Sequence, residues 1–550
     1  MSSSLNKLFE LLLASLFLLC AVLAEADVPE SDLLVFGATP GGLAAGIAAK
    51  RAGLSVTVLE HSNIPGGILS GGLGFSDTCR KEFIGGIALE FFQRIGQEHG
   101  KELQWNLVPS VAEKVFRDWL SEEGLRVRYG ISLESVEVVD GEIQSVVGST
   151  GEQFKALNFI DASYTGDLLA LAGVDYALGR EGQAVYGESL AGFTTRHTRE
   201  QFPSGLSAYK KDGSLHHGVV SKEAIEIGAP DERVMAYNYR PCLTKQKNNL
   251  RKFYKPENYS PERYSLLIPL LKFSPDLGLG DILGLNQTVG SKYDLNNKGP
   301  FSTNLLNVGS SYSEASYVER LKIEEEHANH IKGLLYFLAN DPSVPKRIKE
   351  EASEFGYCAD EFTSSENFPR QIYIRVGRRM LGEFVLTQQE LVSGSGQEDS
   401  IGWGSCRIEV HHNQRLVDQE GMVYNEGVVP QVVPPYQIPY RSLIPAEGQV
   451  DNLLVPVALS ASNIAYSSLR MEPQFMTFGQ AVGIAAFLSV KFDLSVRDID
   501  AGLLRSHLFQ AGAVPGARYG KYDKLFITIA FGVASLIMGA LPFMINLEQK

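Results

Sequence analysis

The chain has 550 residues, with 50 Lys and Arg against 64 Asp and Glu for a formal net charge of −14, and is 44% hydrophobic and 21% charged. That balance excludes a disordered or fibrous main body and offers no electrostatic footprint for nucleic acid, so no nucleic-acid partner is expected. The length allows several domain-sized units, and five cysteines at scattered spacing match neither a disulfide scaffold nor a zinc pattern, so no metal is expected.

An apolar run from Leu8 to Leu23 follows Lys7 and ends at Ala24-Glu25-Ala26, the pattern of a secretory signal peptide over residues 1–26. Its removal takes Cys20 away and leaves Cys79, Cys242, Cys358 and Cys406 in an oxidising compartment, with no pairing readable from spacing. Asn258 and Asn286 stand in glycosylation acceptor triplets, which makes a glycoprotein the expectation.

Ser31 to Lys50 (SDLLVFGATPGGLAAGIAAK) reads as a buried strand, a glycine-rich turn and an alanine-rich helix, and RAGLSVTVLE closes the helix at Gly53 and adds a second buried strand ending at Glu60. A dinucleotide site needs a tight turn, a helix start facing a pyrophosphate, close helix-to-strand packing and an acid for ribose hydroxyls. Gly37, Gly42 and Glu60 meet the first, third and fourth demands, with Pro40 and Gly41 opening the helix. Thr39 replaces the middle glycine of the usual pattern, and its hydroxyl is expected to bond the phosphate. Gly66 and Gly67, in NIPGGILSGGLGF, would let the backbone lie against an extended ligand.

These runs, together with IGGIALEFF, FIDASYTGDLLALAGVDYALGREG, YNYRPCLT, KYDLNNKGPFSTN, YIRVGRRMLGEFVLTQ and NLLVPVALSASNIAYSSLRMEPQFMTFGQAVGIAA, are ordered along most of the chain. In them the sequence resembles FAD-dependent oxidoreductases of the glutathione-reductase-like superfamily, in particular the family often labelled xanthan-lyase-like. The resemblance implies FAD as cofactor and an α/β fold: a discontinuous Rossmann-type FAD-binding domain with an inserted α+β substrate or cap domain. On this reading residues 27–173 and 440–506 form the FAD-binding domain, 174–439 the cap and 507–524 a linker. A polysaccharide-lyase activity has no support in these motifs.

Within that frame, Gly124 to Val147 alternates as a hairpin turning at Asp140-Gly141, and Phe159 to Ala162 returns as a strand of the Rossmann sheet. Asp167 would lie beside the dinucleotide. Periodicity predicts helices over 317–338 and 371–391, and the second would carry Arg375, Arg378 and Arg379. Arg375 would hold the flavin or a substrate carboxylate, or else belong to a solvated face paired with Glu383. His411 and His412 follow a strand-like run, and His411 is the preferred base because an ordinary imidazole titrates near working pH. A closing helix begins near Pro473, and Arg470, Met471 and Glu472 at its start would contact the flavin.

Leu525 to Ile545 is uncharged and mostly apolar, long enough to cross a bilayer core of roughly 30 Å. It is read as a membrane anchor after a lumenal or extracellular body on the secretory route, although Arg518, Lys521 and Lys524 on its amino-terminal side run against the positive-inside rule. The function expected is transfer of a hydride from a small alcohol, sugar-like or amine substrate to flavin N5, with an electron acceptor of unknown identity. The alternative is a non-catalytic flavin- or nucleotide-binding protein.

Overall fold

A computed structural model describes residues 31–221, 225–394 and 396–513. The expected signal peptide and the apolar segment 525–545, with most of the linker before it, lie outside the described residues.

Strand β1 (Ser31–Phe36) leads through a turn into helix α1 (Pro40–Ala52), which Gly53 ends in the left-handed conformation, and β2 (Val56–Glu60) follows. The apolar run of β1 is buried on both faces, as an inner parallel strand requires. Strand β3 (Arg126–Tyr129) pairs parallel with β2, and β4 (Leu133–Val139) and β5 (Glu142–Gly148) form the expected hairpin. Its turn uses Asp140 and Gly141, both at positive φ. Strand β6 (Ala156–Asp161) then returns to pair parallel with β1.

The middle of the chain builds a second, antiparallel sheet. Its strands are β7 (Cys242–Thr244), β8 (Leu250–Arg251), β9 (Leu283–Gln287), β10 (Lys292–Asn297) and β11 (Gly356–Cys358), in the order β8-β11-β7-β10-β9. Helix α2 (Tyr317–Asn340) starts on a capping box between Ser316 and Glu319 and buries its carboxyl-terminal half.

The chain then passes through β12 (Ile408–Val410) and comes back to the first sheet as β13 (Leu453–Leu454), parallel to β6. The first sheet therefore runs β13-β6-β1-β2-β3, with its outermost strand supplied some 290 residues after its neighbour in the chain. Helix α3 (Glu472–Phe492) lies against α1. It is long and apolar enough to span a membrane by composition, yet it is a core helix with 78% of its most apolar stretch buried. The approach is close because it is glycine to glycine. A Cβ on Gly479 would stand 1.9 Å from the Gly41 carbonyl oxygen, and one on Gly483 would stand 2.3 Å from that of Ala45.

The expected helix over 371–391 does not form. Residues before Gln388 run extended or irregular, Arg379–Met380 pairs with Tyr176–Ala177, and only Gln388–Ser393 is helical. Tertiary partners override the local period here. Gly377 and Gly382 pack so tightly that added Cβ atoms would stand 2.8 Å from the Tyr164 carbonyl oxygen and 2.4 Å from that of Ile444.

Cys79 and Cys406, 327 residues apart, form the disulfide that spacing alone left open. Cys242 and Cys358 are buried free thiols on the adjacent strands β7 and β11.

Candidate functional site

The turn between β1 and α1 opens onto a cavity of about 420 Å³, lined by Gly37, Thr39, Glu60, Gly67, Asp167 and, from the inserted region, Arg320. Gly37 has φ +100°, and a Cβ there would lie 2.8 Å from the Ala162 backbone. Gly42 is required for helix-to-strand contact, since its Cβ would fall 2.0 Å from the Gly37 oxygen. Pro40 opens the helix and Gly41 faces α3, where its Cβ would meet the Phe475 oxygen at 3.0 Å.

Thr39 departs from the expected phosphate contact. It is the N-cap of α1: its hydroxyl accepts the Gly42 amide at 3.1 Å and donates its proton to the Ala162 carbonyl at 2.8 Å. With that proton committed, the side chain stands in for the missing glycine by fixing the turn, and what it offers an anion is the unpaired first-turn backbone of the helix.

Glu60 accepts from the Ala38 amide at 2.7 Å and from the Ser62 amide at 2.8 Å. Burial disfavours its charge, but the neighbouring His61 and the Ser62 amide outweigh this and hold the carboxyl below the usual carboxylate range. An ionised acid therefore stands in the cavity wall, as ribose recognition requires. Gly66 and Gly67 sit at φ +88° and +47°, and the Gly66 amide donates to the Ala38 carbonyl at 2.7 Å, bringing the glycine-rich segment onto the same turn.

Asp167 is the anchor of an ion cluster. Arg320 donates to both its oxygens at 2.7 Å, Arg378 donates at 2.9 Å and Thr165 at 2.8 Å. Burial opposes its charge, but Arg320 and Arg378 hold the carboxyl below its ordinary value. It thus fixes two guanidiniums in the cavity wall. Asp161, by contrast, is spent on its own turn, accepting from Ser163 and Leu169, and burial pushes its carboxyl up to about 6.

The three arginines do not share a helix face. Arg378 goes to Asp167 and Glu314, and Arg379 to Glu181 and the Ala461 carbonyl. Arg375 is buried, donating to the Ala236 carbonyl and to Asn297 Oδ1 at 3.2 Å. Glu383, the expected surface partner, pairs with Arg497 instead.

At the start of α3, Met471 is the N-cap, and Glu472 and Pro473 begin the helix. Glu472 Oε1 accepts from the Tyr164 hydroxyl at 3.1 Å, while Oε2 has no partner among the described residues. Burial pushes this carboxyl up to about 8, so it is protonated at neutral pH. Arg470 donates to the Tyr373 hydroxyl at 3.2 Å and to the Glu409 carbonyl at 3.1 Å. The Gln474 side-chain amide, one turn in, has neither atom paired.

His411 and His412 follow β12 directly. Burial, then Arg375 and Arg470, push the His411 imidazole well below its ordinary value. The idea that it titrates near working pH is thereby corrected: it is neutral throughout the physiological range. Burial, then Arg415, Arg199 and His197, push His412 down to about 3; Arg199 acts on both rings, but of the two only His411 feels Arg375 and Arg470. The adjacent histidines thus face different surroundings, and only His411 is close to Arg375 and Arg470.

Sequence reasoning missed Tyr164, Tyr373 and Arg320. Tyr164 and Tyr373 stand inside motifs quoted above. Arg320, on α2, had no signal beyond one cation in a charged helix, because its partner Asp167 is 153 residues away.

A parallel sheet with a glycine turn, a helix start and an ionised acid at the end of the second strand defines a dinucleotide-binding fold. The chain belongs to the FAD dependent oxidoreductase family, whose profile matches residues 32–508. The orphaned polar atoms at the start of α3 and the cradle around Gly37 and Gly67 fit FAD. No curated protein matches the chain. Among solved structures it is similar to AlpK (23% identity over 28% of this chain and 37% of that one, TM-score 0.21). A flavin-containing monooxygenase from Stenotrophomonas maltophilia matches at 20% identity over 28% of this chain and 43% of its own, TM-score 0.20. A flavoprotein/dehydrogenase from Cytophaga hutchinsonii matches at 18%, over 26% and 42%, TM-score 0.22. Each match spans less than half of the solved chain.

Proposed function

We propose that the protein removes a hydride from a small alcohol, sugar-like or amine substrate, with His411 as base. The observation that carries this is the neutral His411 imidazole under the influence of Arg375 and of Arg470, the latter directly before the helix start that fits the flavin. FAD, when bound, supplies the two-electron acceptor, taking the hydride at N5.

The chain's own part is binding, orientation and proton handling. Gly37, Pro40, Gly41 and Gly42, with the Thr39 cap, present the start of α1 to the pyrophosphate; Glu60 receives ribose hydroxyls; and Gly66 and Gly67 keep the backbone close. Asp167 holds Arg320 and Arg378 in the wall that faces the nucleotide. His411 takes the proton of the substrate hydroxyl or amine at a ring nitrogen, and its low proton affinity favours release afterwards. Protonated Glu472 has a hydrogen to donate at the flavin end, with Arg470 and Met471 beside it.

The reading also places the body on the secretory route, anchored through 525–545. The Cys79–Cys406 disulfide supports it, since such bonds persist in oxidising compartments.

The test is anaerobic mixing of the purified yellow protein with alcohols, sugars and amines. Bleaching of the flavin near 450 nm by one class is the expected result. A flavin that no such compound reduces removes the proposed reaction.

A further inference from the structure

Three guanidiniums surround one tyrosine ring in the interior. Arg240 and Arg375 lie over Tyr373 at 5.8 and 5.2 Å from the ring centroid, and Arg470 donates to its hydroxyl at 3.2 Å. All three arginines are buried, at 4%, 1% and 4% exposure. Arg240 is neutralised by Asp294 on β10. Arg375 and Arg470 have no carboxylate partner among the described residues: their bonds go to the Ala236 carbonyl, Asn297, Tyr373 and the Glu409 carbonyl. The Nε–H of each is buried with no acceptor.

The neighbouring titratable groups do not supply the missing charge. His411 is neutral, and the Glu472 carboxyl holds its proton at pH 7. Glu409 is taken by Arg199 and Arg407. Glu200, the acid that acts on Arg375, is itself pushed up by burial, and its carboxylate accepts from Asn297 at 3.4 Å rather than from either guanidinium. Two buried cations that repel each other and keep unused donors are costly in an isolated fold, where an unpaired buried charge is strongly destabilising. An arriving anion removes that cost and satisfies both donors, and a guanidinium fork is matched to a planar carboxylate.

We infer that Arg375 and Arg470 are the receptor for a carboxylate carried by the substrate, so that the compound oxidised is a small hydroxy acid or amino acid rather than a neutral alcohol. This rests on the reaction proposed above and narrows its substrate class. Placed there, the carboxylate brings the neighbouring C–OH or C–NH group up to His411.

Calorimetric titration of the purified FAD-bound protein with acetate, benzoate and lactate, against acetamide and benzamide, tests it. At least one carboxylate should bind saturably and at least 10-fold more tightly than its amide. Arg375→Gln should weaken that binding at least 10-fold with flavin content and Tm retained, Arg470→Gln should weaken it at least 10-fold per bound flavin, and Arg375→Lys should restore part of it. Amides that bind as well as acids, variants that bind normally, or no binding by any of the three acids would overturn the inference. A shift of flavin potential in the variants without any carboxylate effect also overturns it, assigning the pair to the reduced flavin. The two readings fail separately. Carboxylates that bind but never reduce the flavin count against the reaction alone, and reduction by neutral alcohols without acid binding counts against the receptor alone.

Discussion

The carboxylate of Glu60 accepts the backbone N–H of Ala38 at 2.7 Å, so the acid that ends β2 grips the turn that follows β1. One side chain therefore couples the shape of the turn to the charge that meets the ribose.

Glu60→Ala is expected to weaken FAD binding by about 1–3 kcal/mol, the cost of stripping hydroxyls and a turn amide of a charged acceptor. It should also lower Tm in the flavin-free protein, whereas Glu60→Gln, which can still accept from Ala38 but turns its NH2 towards the Ser62 amide, should lower that Tm less. Flavin titration and calorimetry on the three proteins check both halves, and an Ala variant with normal affinity would take Glu60 out of the site.

His411→Ala should keep the chromophore and slow its reduction by substrate about 10²–10⁴-fold. Only neutral imidazole accepts a proton, and here burial, Arg375 and Arg470 keep the ring neutral to well below 6.5. The wild-type reduction rate should therefore show no decline from this group between pH 8 and 6, in contrast to an ordinary histidine. A stopped-flow pH profile that falls with a midpoint near 6.5 would count against His411 as the base.

Stability should fall on both sides of neutrality for identifiable reasons. His330 and His327, buried on α2, take protons in the fold only near 3 and 4, against 6.5 when unfolded. Between those values the unfolded chain binds more protons, so stability drops as pH falls from about 6.5 towards 4. Glu472 acts in the opposite direction. Its folded value of about 8 lies above its unfolded 4.5, so the stability it contributes at low pH is lost as pH rises through 8. In thermal scans, His330→Phe should flatten the acid limb, a ring that fits beside Phe301 and Tyr264, and Glu472→Gln should flatten the alkaline one. Unchanged limbs would show that other groups set the pH range.

The cysteines divide into two kinds with different chemistry. Under non-reducing conditions iodoacetamide should label Cys242 and Cys358 only after unfolding, because both are buried. Cys79→Ser with Cys406→Ser should cost about 2–4 kcal/mol in denaturant unfolding. Labelling of Cys79 in the native oxidised protein, read by peptide mass spectrometry, would contradict the pairing.

What was legible in the sequence was what lies close together along it. The β1-α1-β2 unit is written within thirty residues as strand, turn, capped helix, glycine stop and acid, and each element forms where the pattern puts it. The segment with Arg375, Arg378 and Arg379 was misread for the converse reason. Its spacing imitates a helix face, but the partners that fix it, Asn297, Asp167 and Glu181, stand 78, 211 and 198 residues away. Thr39 lies between these cases. Its place at the helix start was readable, yet the Ala162 carbonyl that takes its proton comes from 123 residues further on. The depression of His411 is likewise beyond local reading, since it depends on burial in the folded chain and then on two guanidiniums from separate segments.

The glycine contact between α1 and α3 has a consequence for the order of events during synthesis. Gly41 leaves the ribosome roughly 20–90 s before Gly479 at about 5–20 residues per second, and until then the face of α1 that meets α3 is uncovered, although its other face already lies on β1 and β2. The nascent amino-terminal unit must wait, its most apolar surface open, through the making of the entire inserted region. A chain interrupted between residues 67 and 472 would carry the complete glycine fingerprint without the helix that α1 packs against in the finished fold.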